Sequence, residues 1–431
     1  MRESASPGQP FPSPASPVDP LMWTQFQALC DLGGRLAGSA SEAAAIAFAR
    51  TQFVAAPGAL VREEPVDYPG WRCHKAELIN AKSGAPVPCA PLLGTASTTG
   101  TAARVCDLGP GHLEDFERHA QETRGRIVMV RHEYPFTPGH VHRRVKLKWA
   151  QEMGAAGFLI AHPEEGVGPV SGSSGRDGSS GIPALGISAE PAKALHRRPD
   201  GTCSSARMVI DGEDQAATAR MLIADLPGGD PDWVVLSAHI DGHPLGESAI
   251  DNATGVAVAL ALARVMAPHV AACPRGLRIC LFGAEEWGLV GSRLWLARMD
   301  EAARRRMVIN LNLDSVGGAS GLTALTSGFE GLDAWVKDSA ARAGLPIETH
   351  LPLMANSDHA NFAAHGIPAL RLIAGFNAPD SNLRLLLTAA DTRDKVHPHE
   401  LDQALRLAST LTWQALAATD ATLSSLAEGR D

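Results

Sequence analysis

A histidine and several acids sit where predicted strands of this sequence stop. The strand-like run Trp233 to Ala238 gives way to His239-Ile240-Asp241, and the run Leu277 to Ala284 gives way to Glu285-Glu286. The run Val308 to Leu313 gives way to Asp314, and Asp251-Asn252 stands just ahead of a helix predicted over Gly255 to Met266. One imidazole with several carboxylates and no thiolate suits Zn2+, Mn2+ or Co2+ in a hydrolytic site. Two such ions about 3.5–4 Å apart can share a bridging carboxylate. Asp241, two residues beyond His239, is placed to orient its ring. Neighbouring residues leaving a strand point in different directions, so one of Glu285 and Glu286 can bind metal while the other serves as a general base. Each feature has a plainer reading when taken singly. His239-x-Asp241 can be a surface feature, Asp251-Asn252 a helix N-cap, Glu285-Glu286 a solvated turn, and Asp314 a partner for a loop amide. Their arrival in order at strand and helix ends argues for one site.

The elements that must hold these residues alternate from about Ala219 onward. Further strands are predicted at Leu322 to Thr326 and Ala369 to Ile373, and further helices at Leu289 to Met299, Leu332 to Ala343 and Leu401 to Ala418. This alternation predicts an α/β fold whose mostly parallel, mixed sheet is covered by helices on both faces. In such sheets, functional residues gather beyond the carboxyl ends of the strands. Ahead of it, Leu21 to Ala55 reads as two helical stretches around the glycine loop Gly33-Gly34-Arg35-Leu36-Ala37-Gly38-Ser39, followed by strands near Leu60 to Val66 and Lys75 to Asn80.

Residues 91–204 read as a separate, smaller α/β insert. Short strands recur at Ala103 to Cys106, Arg126 to Val130, Phe158 to Ala161 and Ala184 to Ile187. A helix over His142 to Met153 ends at Gly154. Its Arg143, Arg144, Lys146 and Lys148 are expected on a solvated face, with Val145, Trp149 and Met153 as the apolar stripe. Gly166 to Gly181 reads as a surface loop. The division is therefore a tail over 1–20, a main domain over 21–90 and 205–431, and the insert.

Composition bounds what the chain can do. It has 431 residues, 38 Lys plus Arg against 47 Asp plus Glu, and a net charge of −9. That balance gives no basic surface for nucleic acid. Hydrophobic residues make up 45 %, enough for packed cores. No apolar run reaches the roughly 18–20 residues that span a bilayer, so no membrane partner is expected. The seven cysteines are scattered, odd in number and never spaced as Cys-x-x-Cys, which predicts free, buried thiols in a reducing compartment. The Pro/Ser-rich start lacks the apolar core of a secretion signal, so a disordered tail and a cytoplasmic location are expected.

The motifs resemble those of the M28 family of zinc aminopeptidases. They are Ser237-Ala238-His239-Ile240-Asp241, Ile250-Asp251-Asn252-Ala253-Thr254-Gly255, Phe282-Gly283-Ala284-Glu285-Glu286-Trp287-Gly288-Leu289-Val290-Gly291-Ser292, Asn312-Leu313-Asp314, and Ser357-Asp358-His359 followed by Gly366-Ile367-Pro368-Ala369. The insert resembles a protease-associated (PA) domain through Asp115-Phe116, Gly125 to Val128, Gly154 to Gly157 and Ile182-Pro183-Ala184. The resemblance implies a zinc-exopeptidase-like fold. It implies that His239 and Asp314 bind one zinc, Asp251 bridges two, Glu286 binds the second, Glu285 is the general base and Asp241 orients His239. It further implies hydrolysis of a peptide or small amide substrate, as an aminopeptidase or dipeptidase.

One position departs from the family pattern. A His-Thr-x-x-Asp-Thr stretch supplies the second zinc's imidazole, but here it reads Leu387-Thr388-Ala389-Ala390-Asp391-Thr392. Leucine cannot ligate. Three arrangements are compatible with it: one metal on His239, Asp251 and Asp314; a substitute imidazole, with His397 and His399 nearest in sequence; or loss of activity. The first is preferred, because the base position is kept. The alternatives are a weakened, non-catalytic binding protein on a peptidase fold, and an amide hydrolase or acyl transferase acting on a non-peptide substrate. His359 is expected to line the pocket and His365 to end a helix, neither as a ligand, while His243 lies in the loop after Asp241, within possible reach of the cleft.

Overall fold

The computed structural model describes residues 19–429, apart from Asp177, Ser179, residues 197–203 and Ala343. The expected tail over 1–20 falls outside the described residues as far as residue 18. Its last two residues are ordered: the Asp19 carboxylate accepts the N–H groups of Leu21 and Met22 at 2.9 and 3.3 Å, capping the helix Pro20–Asp31. The six described cysteines are free, and Cys203 lies outside the described residues.

The chain forms two compact units. One comprises residues 1–66, 218–386 and 391–431, the other residues 67–217 and 387–390. These limits differ from the division at 90/91 and 204/205. Two long strands, Leu60–Asn80 and Ser205–Leu226, each run across a unit limit. The second was not expected at all, because its middle, which begins Asp211-Gly212-Glu213-Asp214, is polar and mostly exposed.

In the first unit, four parallel strands form the centre of the sheet. Trp233–His239 lies between Gly276–Phe282 and Met307–Leu313, and Ala369–Ala374 pairs with Met307–Leu313. Leu322–Leu325 pairs antiparallel with Ala369–Ala374, and residues Leu222 to Leu226 pair antiparallel with Gly276–Phe282. The mixed, mostly parallel sheet agrees with expectation. Register decides what meets at its carboxyl edge: Phe282 pairs with His239 and Asn312 with Ser237, so Asp314 leaves its strand level with His239. The helix Thr254–Val270 is the core of the helical layers, packed on Pro20–Asp31, Ala40–Val54, Pro398–Ala417 and the sheet. Including its irregular first turn, Ala249–Val270 is long and apolar enough to cross a membrane, contrary to the sequence expectation. It is a core helix instead, with 78 % of its most apolar stretch buried.

In the second unit, Thr98–Asp107, Ile127–Arg131, Gly157–Ala161 and Ala184–Ile187 form a parallel run, with Cys89–Pro91 antiparallel on Ala184–Ile187. The predicted helix is Arg143–Glu152, with Gly154 following at φ +77°. Its basic side chains are not all solvated. Arg143 and Lys146 are buried, whereas Val145 is exposed. The Lys146 ammonium is accommodated because it pairs with Glu133 and donates to the carbonyls of Pro110 and Arg131 at 2.7 and 3.0 Å. A buried charge is tolerated only when partnered in this way.

Candidate metal centre

Unusual backbone lies beside Glu285, Asp314 and the turn that carries Asp251. Ala284, just before Glu285, has φ +56°, Ser315, just after Asp314, has φ +58°, and Ser248, ahead of the turn carrying Asp251, has φ +48°. Left-handed conformations at non-glycine residues cost about 1–3 kcal/mol each and persist where the surroundings enforce them, often at functional sites. The Asp251–Asn252 peptide is cis.

The convergence expected from the sequence is present for most of the set. His239 is buried, with Nε2 3.0 Å from Asp251 Oδ1 and 3.5 Å from Asp314 Oδ1. His239, Glu285 and Asp314 each offer one ligand atom, all within 4.8 Å of one another, the one such trio among the described residues. Glu285 is thus close to the ligand atoms as well as being the expected base. Glu286 is buried and lies outside that trio. Asp241 is fully buried. Its carboxylate accepts the N–H of Glu285 at 3.1 Å and of Glu286 at 3.3 Å, so one acid fixes the backbone of both glutamates. Its expected grip on His239 is looser: Nδ1 lies 3.7 Å from the carboxylate and 3.1 Å from the Asp241 carbonyl, which is the better acceptor.

The site is a concentration of negative charge in a poorly hydrated place. Burial pushes the Glu285 carboxyl well above the usual range. Burial pulls the His239 imidazole down, but Glu285 and Asp314 outweigh it and hold the ring well above its ordinary value. Burial raises Asp314, yet the Arg371 guanidinium, 3.1 Å from Oδ2, and His239 bring it well below. An imidazole ringed by acids is a donor set that a divalent cation would satisfy, so the residues fit the metal that the sequence implies.

Several supporting residues were not singled out from the sequence. Asp391 is fully buried and takes the N–H groups of Ile250 and Asp251 at 2.7 and 3.2 Å, aiming the Asp251 turn. The Asn252 side chain donates to the Leu313 carbonyl at 2.9 Å and accepts from Ser315 N–H at 3.2 Å, tying that turn to the Asp314 exit. Behind them, Asn310 donates to Ser237 at 2.9 Å, Ser237 to Asn312 at 2.7 Å, and Asn312 to Ser357 at 2.7 Å. Arg371 and Arg35 are buried too. The available signal was polar residues at alternate positions of an apolar strand, as in Asn310 and Asn312, and an arginine inside the apolar run Ala369–Ala374. Asp358, buried against Ser292, is pushed up to about 7 by burial.

The remaining histidines stay outside the cluster. His359 opens the helix His359–Ala364 fully buried, and burial lowers it to about 3. His365 ends that helix, exposed. His243 is buried, its Nδ1 accepting Leu245 N–H at 3.3 Å. His397 and His399 stack at 5.7 Å at the start of Pro398–Ala417, where His397 N–H donates to Glu400. No metal-ligand group among the described residues includes either. Leu387 has φ +62°, and its carbonyl accepts Ser171 N–H at 2.8 Å.

Residues 221–412 match the model of peptidase family M28, and residues 90–195 match the PA domain model. Over residues 221–412 the chain is thus similar to the M28 peptidases. It is 26 % identical over 324 residues to aminopeptidase YwaD of Bacillus subtilis, covering 74 % of this chain and 68 % of that protein. It is 32 % identical over 160 residues to leupeptin-inactivating enzyme 1 of Streptomyces exfoliatus, a match to 37 % of this chain and 36 % of that protein. Among solved structures, the zinc aminopeptidase BSAP of Bacillus subtilis superposes with a TM-score of 0.74 at 24 % identity, covering 92 % of this chain and 95 % of that one. The aminopeptidase of Aneurinibacillus sp. strain AM-1 superposes with a TM-score of 0.69 at 25 % identity, covering 92 % and 94 %. The M28 match and the aminopeptidase relatives support a peptide hydrolase of the metallo-aminopeptidase type.

Proposed function

We propose that the chain removes residues from the N-termini of peptides, or splits dipeptides, using zinc held chiefly by His239, Asp251 and Asp314, with Glu285 as general base. The observation that carries this reading is the placement of His239 Nε2 within 3.5 Å of both Asp251 and Asp314, beside Glu285. When bound, zinc supplies Lewis acidity to the scissile carbonyl and lowers the pKa of water. Every other role falls to this chain. Glu285 takes the proton from the attacking water and returns it to the leaving amine, a shuttle worth about 10²–10⁴ in rate. Raising of its pKa by burial suits a carboxyl that must both accept and donate. Asp241 holds the Glu285 backbone through its N–H and steers the His239 ring through its own carbonyl. Arg371 pairs with Asp314 and fixes the outer oxygen of that carboxylate.

Leu387 supports a site that holds one ion firmly, since the family's second-site imidazole is replaced by a side chain without a donor. Glu285→Gln tests the assignment. It keeps the side-chain shape but cannot accept a proton, so it should reduce release of amino acids from peptides by about 10²–10⁴ with zinc content unchanged. Undiminished turnover would refute it.

A further inference from the structure

We propose that Arg35, from the glycine loop near the start of the chain, is the positioning residue for the loop that delivers Asp251 to the metal centre. The inference rests on the hydrolase reading for its functional consequence, but its structural half stands alone. Arg35 is fully buried. Rather than pairing with one carboxylate, its guanidinium gathers backbone carbonyls. Nε donates to Ile240 at 3.0 Å, one terminal nitrogen donates to Glu247 at 2.9 Å, and the other donates to Ser248 at 2.9 Å. Two further bonds, to the carbonyls of Leu29 and Gly33 at 3.4 and 3.2 Å, anchor it to the preceding helix Pro20–Asp31 and to its own loop.

Ile240 and Ser248 bound the loop that links the His239 strand end to the Asp251 turn, so one side chain holds both ends. Only a planar fork with five donors can do this; an ammonium offers three hydrogens from one point. The contact is reciprocal. The Arg35 carbonyl accepts Gly242 N–H at 3.1 Å, and Gly34 packs so closely that a Cβ there would lie 2.1 Å from the His243 oxygen. Just before Ser248, the Glu247 N–H donates to the Asp391 carbonyl at 3.1 Å, and the Asp391 carboxylate takes the N–H groups of Ile250 and Asp251. The path from Arg35 to the ligand is therefore an unbroken chain of hydrogen bonds. Burial lowers the guanidinium from its ordinary value, and Asp391, Asp241 and Asp251 oppose that in part.

The experiment compares the full-length protein with Arg35→Lys and Gly34→Ala, which perturb the clasp from its two sides. Amide hydrogen exchange of residues 240–252 is read against that of the core helix 254–270, and zinc affinity is read by chelator competition. Both variants should exchange faster in 240–252 by about tenfold or more while the core helix is unchanged, and should bind zinc about 10–100-fold more weakly, as loss of support behind a ligand does. Should Arg35→Lys fail to fold, Gly34→Ala decides. Wild-type exchange in 240–252, or an equal rise across both segments, overturns the proposal, because either makes Arg35 an ordinary stabilising residue. If the wild-type protein binds no zinc, the hydrolase reading fails, and the exchange comparison still judges the clasp.

Discussion

Asp241→Asn is the substitution whose consequence follows most directly from geometry. The wild-type carboxylate offers one oxygen to Glu285 N–H at 3.1 Å and the other to Glu286 N–H at 3.3 Å. Asparagine keeps one acceptor and turns an NH2 group against the second N–H. The variant thus loses one hydrogen bond to a charged acceptor and leaves a buried N–H unsatisfied, at a cost of about 1.5–3 kcal/mol. The displaced backbone carries Glu285 and Glu286, so the cost appears at the site. At about 1.4 kcal/mol per decade, it corresponds to zinc binding weakened by about 10- to 150-fold. Zinc affinity of the purified variant, measured by competition with a chromogenic chelator, reads this directly, and kcat should fall in parallel as the base is displaced. Affinity and kcat both within about threefold of wild type, in a variant that folds normally, would refute the reasoning.

Three further outcomes are expected. Glu42, buried and accepting Gly38 N–H at 2.7 Å, is pushed up to about 8 by burial, with Asp241 adding to the effect. Its contribution to stability is complete below the unfolded value near 4.5 and is lost as pH rises through about 8, so Glu42→Gln should gain on the wild type across that window; parallel melting curves between pH 5 and 9 would contradict this. Lys146→Met leaves Glu133 without its ammonium and two carbonyls without a donor, which should destabilise the PA unit by about 1–3 kcal/mol in a denaturant titration; an unchanged midpoint would show the ion pair to be dispensable. Leu387→His restores the family's imidazole and should raise bound zinc from near one towards two per chain by elemental analysis. An unchanged ratio would mean that Leu387 does not limit the second ion.

The sequence made the sheet and its catalytic edge legible because parallel strands buried on both faces are near-continuous apolar runs. Their first titratable residues, His239 and Asp314, therefore mark the exits. Long strands such as Ser205–Leu226 escaped because an exposed strand carries polar residues on either side of its own axis and a glycine within it. The scaffold behind the site was harder to read. Arg35 lies 205 residues from Ile240, and Asp391 lies 141 from Ile250, and no local pattern encodes either pairing. Lys146 was misread for the opposite reason. A lysine on an amphipathic helix is normally solvated, and only the distant Glu133 and two carbonyls make its burial affordable.

The proposed chemistry requires His239, Asp251 and Asp314 to hold a cation beside Glu285. Diffraction from zinc-grown crystals, recorded on either side of the zinc absorption edge, tests it most directly. An anomalous peak within bonding distance of His239 Nε2 and of Asp251 and Asp314 oxygens is the predicted result. Zinc-replete crystals with no peak among those side chains would contradict it.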